Sequence, residues 1–321
     1  TTVCSDLLNP ATRDGFIGDL KVEQAAMREA YEKQQPAVVI PLAEARKRPL
    51  ITTAPVQPAP RKPGVTLFER IDPAAVAEII DWTPFFQTWE LAGQYPAILE
   101  DEIVGSEAKK LLHDAQTMLN QFVANQSLQA KGVWYILPAK KMGEDLAVYD
   151  TVEAAHADTD GSQALKTFHF LRQQRKMAGG LPNYSLVDFI ADEQVDYLGG
   201  FAVTTGLGLE PIVAAYEAQL DDYQSIMAKA LADRLAESFA EKLHQKVRTE
   251  FWGYADESTV SNEDLIREKY QGIRPAPGYP ACPDHSVKRD MFDLLQCDDI
   301  GMGLTDSLAM TPAASVSGFY L

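Results

Sequence analysis

Cysteine is scarce in this chain: 321 residues contain only Cys4, Cys282 and Cys297. So few, and an odd number, argue against a disulfide framework and fit a reducing compartment, so the expected location is the cytoplasm. Long apolar runs are missing too. No stretch approaches the roughly 20 apolar residues that cross a bilayer, and the N-terminus lacks a basic-then-apolar leader, so no membrane partner is expected. Positive charge is in the minority, with 29 Lys and Arg against 46 Asp and Glu, a formal net charge of −17. Such a chain repels a phosphate backbone, which argues against nucleic acid. Gly199-Gly200 and Gly206-Leu207-Gly208 lack dinucleotide or P-loop spacing and read as a strand bend and a helix start. No Gly-x-Ser-x-Gly elbow occurs, so hydrolysis has no support and no catalytic residue is assigned.

What is present suits a globular protein, with 46% hydrophobic residues to fill a core. The opening Thr-Thr-Val-Cys-Ser-Asp reads as the middle of a longer polypeptide. Residues 1–63 form an N-terminal arm. A helix is expected from Thr12 to Gln34, where Phe16, Leu20, Met27 and Tyr31 recur at helical spacing. Seven prolines between Gln35 and Pro63 then suit an extended linker that wraps over the following domain or hangs free.

Residues 64–321 form the compact domain. Helices are expected at Pro73–Ile80 and Glu107–Gln121, and a buried aromatic knot at Trp82–Trp89. Strands are expected at Val133–Leu137, Leu146–Tyr149, Leu165–Leu171, Tyr197–Thr205 and Ser315–Leu321, the first two joined as a hairpin. An apolar stripe from Tyr216 through Leu231 and Phe239 to Phe251 predicts one long central helix over Pro211–Phe251. Hairpin-ordered strands with long helices indicate an α+β fold with an antiparallel sheet.

Several residues invite chemistry. Glu241-x-x-His244 and Glu153-x-x-His156 match the half-motifs of di-iron carboxylate bundles, but the second lies in a polar, turn-rich stretch. Cys282-x-x-His285 offers two zinc ligands without a second pair, and Asp158-x-Asp160-Gly161 lacks the remaining calcium ligands, so both read as turns and no metal site is assigned. Glu237, Glu241 and His244 share one helix face, which is either solvated or a lure for a cationic ligand. In Arg274-Pro275-Ala276-Pro277-Gly278-Tyr279-Pro280 three prolines and a glycine fix an extended, non-helical backbone. That segment either connects elements or presents an arginine fork and an aromatic face to a ligand.

Ile80-Asp81-Trp82-Thr83-Pro84-Phe85-Phe86, Ala232-Asp233-Arg234-Leu235-Ala236-Glu237, Trp252-Gly253-Tyr254 and Tyr270-Gln271-Gly272-Ile273-Arg274 through Pro283 together resemble the activation domain of cobalamin-dependent methionine synthase. The resemblance runs in order from about Asp81 to the C-terminus and extends weakly to Asp14–Tyr31. It implies a single C-shaped α+β domain with a twisted antiparallel sheet and long helices, binding S-adenosylmethionine in a groove. Carried over by position, Asp81 would hold the ligand's amino group, Arg274 its carboxylate and Ala276 its adenine through the backbone. Glu237, Gly278 and Tyr279 would shape the site.

The implied function is repair of oxidised cobalamin, as part of a methyltransferase. S-adenosylmethionine supplies a methyl group, a flavodoxin-like donor an electron, and the cobalamin-binding domain of the same polypeptide the cofactor. A docking module with weakened ligand binding is the alternative, and a di-iron protein the weaker one. The family continues beyond Ser315-Val316-Ser317-Gly318 with a tyrosine-rich contact and a terminal helix, so the expectation here is a C-terminally truncated domain with an uncovered sheet edge.

Overall fold

Fourteen residues, Gln129–Met142, with the β-branched and aromatic run Val133-Trp134-Tyr135-Ile136 near their centre, form the strand around which the fold is organised. The computed structural model describes residues 2–33, 38–51, 57–71, 73–192, 194–256 and 260–321. Two compact units divide it: residues 1–48 with 174–183, and residues 49–173 with 184–321.

In the first unit the helices are α1 (Thr2–Leu8), α2 (Arg13–Lys33) and α3 (Leu42–Ala45). The expected helix at Thr12–Gln34 corresponds to α2, with Gln34 outside the described residues. Within the proline-rich stretch, residues 35–37 and 52–56 also lie outside them. That stretch is not wholly extended, because α3 forms inside it and buries Ala45. Val39 bridges Arg175, with Ile40 N donating to Gln174 O at 2.8 Å.

In the second unit the strands are β1 (Gly64–Ile71), β2 (Gln129–Met142), β3 (Asp145–Val148), β4 (Lys166–His169), β5 (Asp196–Leu207), β6 (Gly303–Leu304), β7 (Met310–Thr311) and β8 (Ser315–Tyr320). The main sheet has the order β4-β3-β2-β5-β8, all antiparallel, and β1 pairs with the same edge of β2 as β3. β6 and β7 form a separate two-stranded ladder. The helices are α4 (Pro73–Ala77), α5 (Trp82–Thr88), α6 (Gly105–Ala124), α7 (Val152–Ala157), α8 (Leu209–Ala218), α9 (Asp222–Lys246), α10 (Asn262–Ile266) and α11 (Val287–Leu295).

Period-two alternation along β2 and β5 divides the core between the sheet's faces. Trp134, Ile136, Phe201 and Val203 join the cluster built with α6 and α9. Tyr135, Leu137, Leu198 and Ala202 join the cluster built with α11. Each large side chain so buried contributes about 1.5–3 kcal/mol. At Gly199 and Gly200 the strand lies close under two rings: a Cβ would meet Tyr320 at 2.7 Å and Tyr135 at 2.4 Å. The glycine pair therefore admits aromatics, beyond bending the strand.

The single helix expected over Pro211–Phe251 is in fact three pieces. Leu220 takes a left-handed φ of 56°, Asp221 caps α9 by accepting from Gln224 N at 3.0 Å, and a π-helical turn follows at Val247–Phe251. The stripe continues across the break, but Leu220 is exposed. Glu153-x-x-His156 also differs from expectation, lying on the short helix α7. Before β1, residues 57–63 are laid against the π turn: Trp252 Nε1 donates to Pro58 O at 2.9 Å and Lys62 N to Phe251 O at 2.8 Å.

Candidate functional site

Arg234, Glu237, Ser238 and Glu241 recur at intervals of three and four residues, so the turn of α9 brings them onto one face. That face forms one wall of a cavity of about 140 Å³, completed by Ile79, Asp81, Leu265, Ile266, Glu268 and Arg274. A second cavity of about 610 Å³ shares Glu237, Glu268 and Arg274 and continues along Pro275, Ala276, Pro277 and Tyr279 to Ser317 of β8. Its size falls in the range of small-molecule sites, roughly 300–1,000 Å³. Of the six residues singled out from sequence, Asp81, Glu237, Arg274, Ala276 and Tyr279 line these joined cavities, and Gly278 lies between two of them in the chain.

Backbone bonding fixes the Arg274–Pro280 segment. Ile273 exchanges backbone hydrogen bonds with Leu321 at 2.9 and 3.2 Å, and Phe319 N donates to Pro275 O at 2.8 Å. The outer edge of β8, expected to be uncovered, thus carries this segment. Prolines then stop further pairing, and the chain turns at Gly278, whose φ of 102° suits glycine. A side chain there would also strike the His285 ring at 2.4 Å. Gly278 N donates to Cys282 O at 2.8 Å and Cys282 N to Tyr279 O at 2.9 Å, leaving the Tyr279 ring exposed. Cys282-x-x-His285 is therefore part of the turn's support, and burial pushes the Cys282 thiol up to about 12.

Asp81 is the N-cap of α5, its Oδ1 accepting from Thr83 N at 2.9 Å. Arg274 donates from Nη1 to Glu241 Oε2 at 2.9 Å and to Ala240 O at 3.4 Å. Among the described residues its Nε and Nη2 make no hydrogen bond. Burial opposes its charge, but Glu241, Tyr270 and Tyr320 more than offset this and hold Arg274 above the ordinary arginine range. The first cavity carries four carboxylates, Asp81, Glu237, Glu241 and Glu268, against two guanidiniums, Arg234 and Arg274. The pair of cavities can thus grip a ligand bearing both a carboxylate and positive charge.

Sequence raised Glu241 and His244 as part of the Glu237 helix face and as a di-iron half-motif without assigning them to the ligand site, and gave Tyr270 and Arg248 no role. The Tyr270 hydroxyl donates to Glu241 Oε2 at 3.0 Å, and Arg248 stacks 3.6 Å from the Tyr270 ring centre. His244 is wholly buried, stacked on Tyr320 at 5.0 Å, and held neutral well below the ordinary histidine range by burial and then by Arg248 and Arg274. Glu241 and His244 therefore occupy the interior, and the solvated-face reading fails for them. Glu237 does remain exposed. No group of three or more His, Cys, Asp or Glu among the described residues could hold a metal ion. Asp158 is a turn residue whose carboxylate accepts from the backbone of Asp160, Gly161 and Gln163 at 2.9–3.1 Å.

A family model described as the activation domain of vitamin B12-dependent methionine synthase matches residues 72–321. Among solved structures, the crystal structure of the MetH reactivation domain bound to AdoHcy is similar at 46% sequence identity with a TM-score of 0.81. The match covers 88% of this chain and 86% of that one.

Proposed function

The chain belongs to the activation-domain family of vitamin B12-dependent methionine synthase, a methyltransferase, and on that premise we propose that its joined cavities hold S-adenosylmethionine. Arg274 takes the ligand's carboxylate through Nε and Nη2, which Glu241 leaves uncommitted. Asp81, with one oxygen engaged in capping α5, takes the amino group. Glu237 makes no hydrogen bond among the described residues and offsets the ligand's remaining positive charge. The Ala276 backbone receives the adenine, with Gly278 and Tyr279 shaping the turn beside it.

When bound, S-adenosylmethionine supplies the methyl group for reductive methylation of cob(II)alamin, which the cobalamin-binding domain of the same polypeptide holds while a flavodoxin-like donor provides the electron. The chain's own contribution is to fix the ligand in one orientation through opposed charges. Its buried thiols stay protonated, with Cys282 and Cys297 both pushed up to about 12. A cytoplasmic setting belongs to the same proposal, supported by three free cysteines. No helix among the described residues is long and apolar enough to cross a membrane.

The observation that carries the reading is Arg274, whose half-buried guanidinium lies on the wall shared by both cavities with Nε and Nη2 making no hydrogen bond among the described residues. Calorimetric titration tests it. Arg274→Ala is expected to weaken S-adenosylmethionine binding by about 1.5–3 kcal/mol, the usual worth of a charged hydrogen bond. Unchanged affinity overturns the carboxylate assignment.

A further inference from the structure

Among the described residues Glu241 is the one buried carboxylate on the cavity wall; Glu237 and Glu268 are exposed and Asp81 is half-buried. Three groups hold it. Arg274 Nη1 and the Tyr270 hydroxyl both donate to Oε2, at 2.9 and 3.0 Å, and Arg248 Nη2 lies 3.6 Å from Oε1. The Arg248 guanidinium carbon in turn lies 3.6 Å over the centre of the Tyr270 ring, so the acceptor of Arg274 is itself pinned. A long arginine side chain otherwise has much rotamer freedom to lose on ordering. Glu237 and Glu268 line the same cavities and make no side-chain hydrogen bond among the described residues. They would compete for an unanchored Arg274 at high effective concentration.

Resting on the S-adenosylmethionine reading, we propose that Glu241 is a positioning residue: by fixing Nη1 it keeps Arg274 away from Glu237 and Glu268 and reserves Nε and Nη2 for the ligand's carboxylate. Tyr270 supports Glu241 in this role. A purely electrostatic view predicts the opposite effect of neutralising Glu241, because removing its charge makes the surroundings of Arg274 more positive and should favour an incoming carboxylate. Loss of aim dominates, since the competing carboxylates are already in the cavity and need no association entropy to engage it.

The test titrates the wild-type chain, Glu241→Gln and Tyr270→Phe with S-adenosylmethionine and with its decarboxylated analogue, which keeps the amine, sulfonium and adenosine. Glu241→Gln should weaken S-adenosylmethionine about tenfold, exchanging a charged acceptor for a neutral one, and change the decarboxylated ligand by less than about twofold. Tyr270→Phe should show the same selectivity at about threefold, from loss of one neutral donor. It keeps the ring under Arg248 and carries the test if Glu241→Gln does not fold. Equal losses for both ligands mean a merely structural role, and unchanged or tighter S-adenosylmethionine binding means that charge outweighs aim. Either overturns the proposal while leaving the ligand assignment intact. A wild-type chain that binds neither ligand overturns both.

Discussion

Burial works against the charge of Arg274, and Glu241 beside it compensates; His244 has no such carboxylate of its own. It lies between Tyr270 and Tyr320 with neither ring nitrogen hydrogen-bonded among the described residues, and burial, Arg248 and Arg274 all disfavour its protonation. Its pKa in the folded chain is thus below the ordinary value of 6.5. Below that pH the unfolded chain binds a proton that the folded chain refuses, so this residue carries no penalty well above 6.5 and destabilises the fold increasingly as pH falls below it. His244→Phe keeps a flat ring against Tyr320 and removes the titration. Denaturant melts between pH 7 and pH 5 should therefore show wild type losing stability faster than the variant. Parallel slopes would contradict a buried neutral His244. At this scale Arg274, Ala276, Gly278 and Tyr279 could be proposed from sequence because they lie in one unbroken string whose prolines restrict the backbone. Glu241 was visible as a candidate carboxylate, but its pairing with Tyr270 was not, because 29 positions separate them and helical spacing alone does not distinguish an interior carboxylate from a solvated one.

Among the elements, the break between α8 and α9 sets the direction of the helix that carries Glu237 and Glu241. Periodicity hid it, since Leu220 and Tyr223 continue the apolar stripe. The sequence did hold a signal: Asp221 with Gln224 three positions on is the pattern of a capping box. Asp221→Ala removes the acceptor for Gln224 N and should cost about 1 kcal/mol, read as a lower denaturant midpoint at unchanged slope. No shift would mean that packing alone sets the start of α9. Hairpin strands β2 and β3 were legible from unbroken apolar runs on either side of the turn at Gly143, whereas β1 was not. Its Val65 and Leu67 are exposed and it follows directly on prolines, so neither burial nor composition marked it.

Across the molecule, a sheet with helices against both faces gives Arg274 a rigid base: β8 and the following Leu321 bond the backbone on either side of it, and α9 carries the opposing carboxylates. The α+β class followed from strand order and helix length. The extent of the units did not, because residues 49–63 and 174–183 are assigned by contacts between distant parts of the chain that no local pattern encodes. The central claim is that the opposed charges of α9 and the Arg274–Pro280 segment hold S-adenosylmethionine. A crystal structure of this chain grown with S-adenosylmethionine tests it most directly. The ligand carboxylate is expected on Arg274 Nε and Nη2, its amino group at Asp81, and its adenine against Ala276 and Tyr279. Ligand density elsewhere, or a carboxylate remote from Arg274, would contradict it.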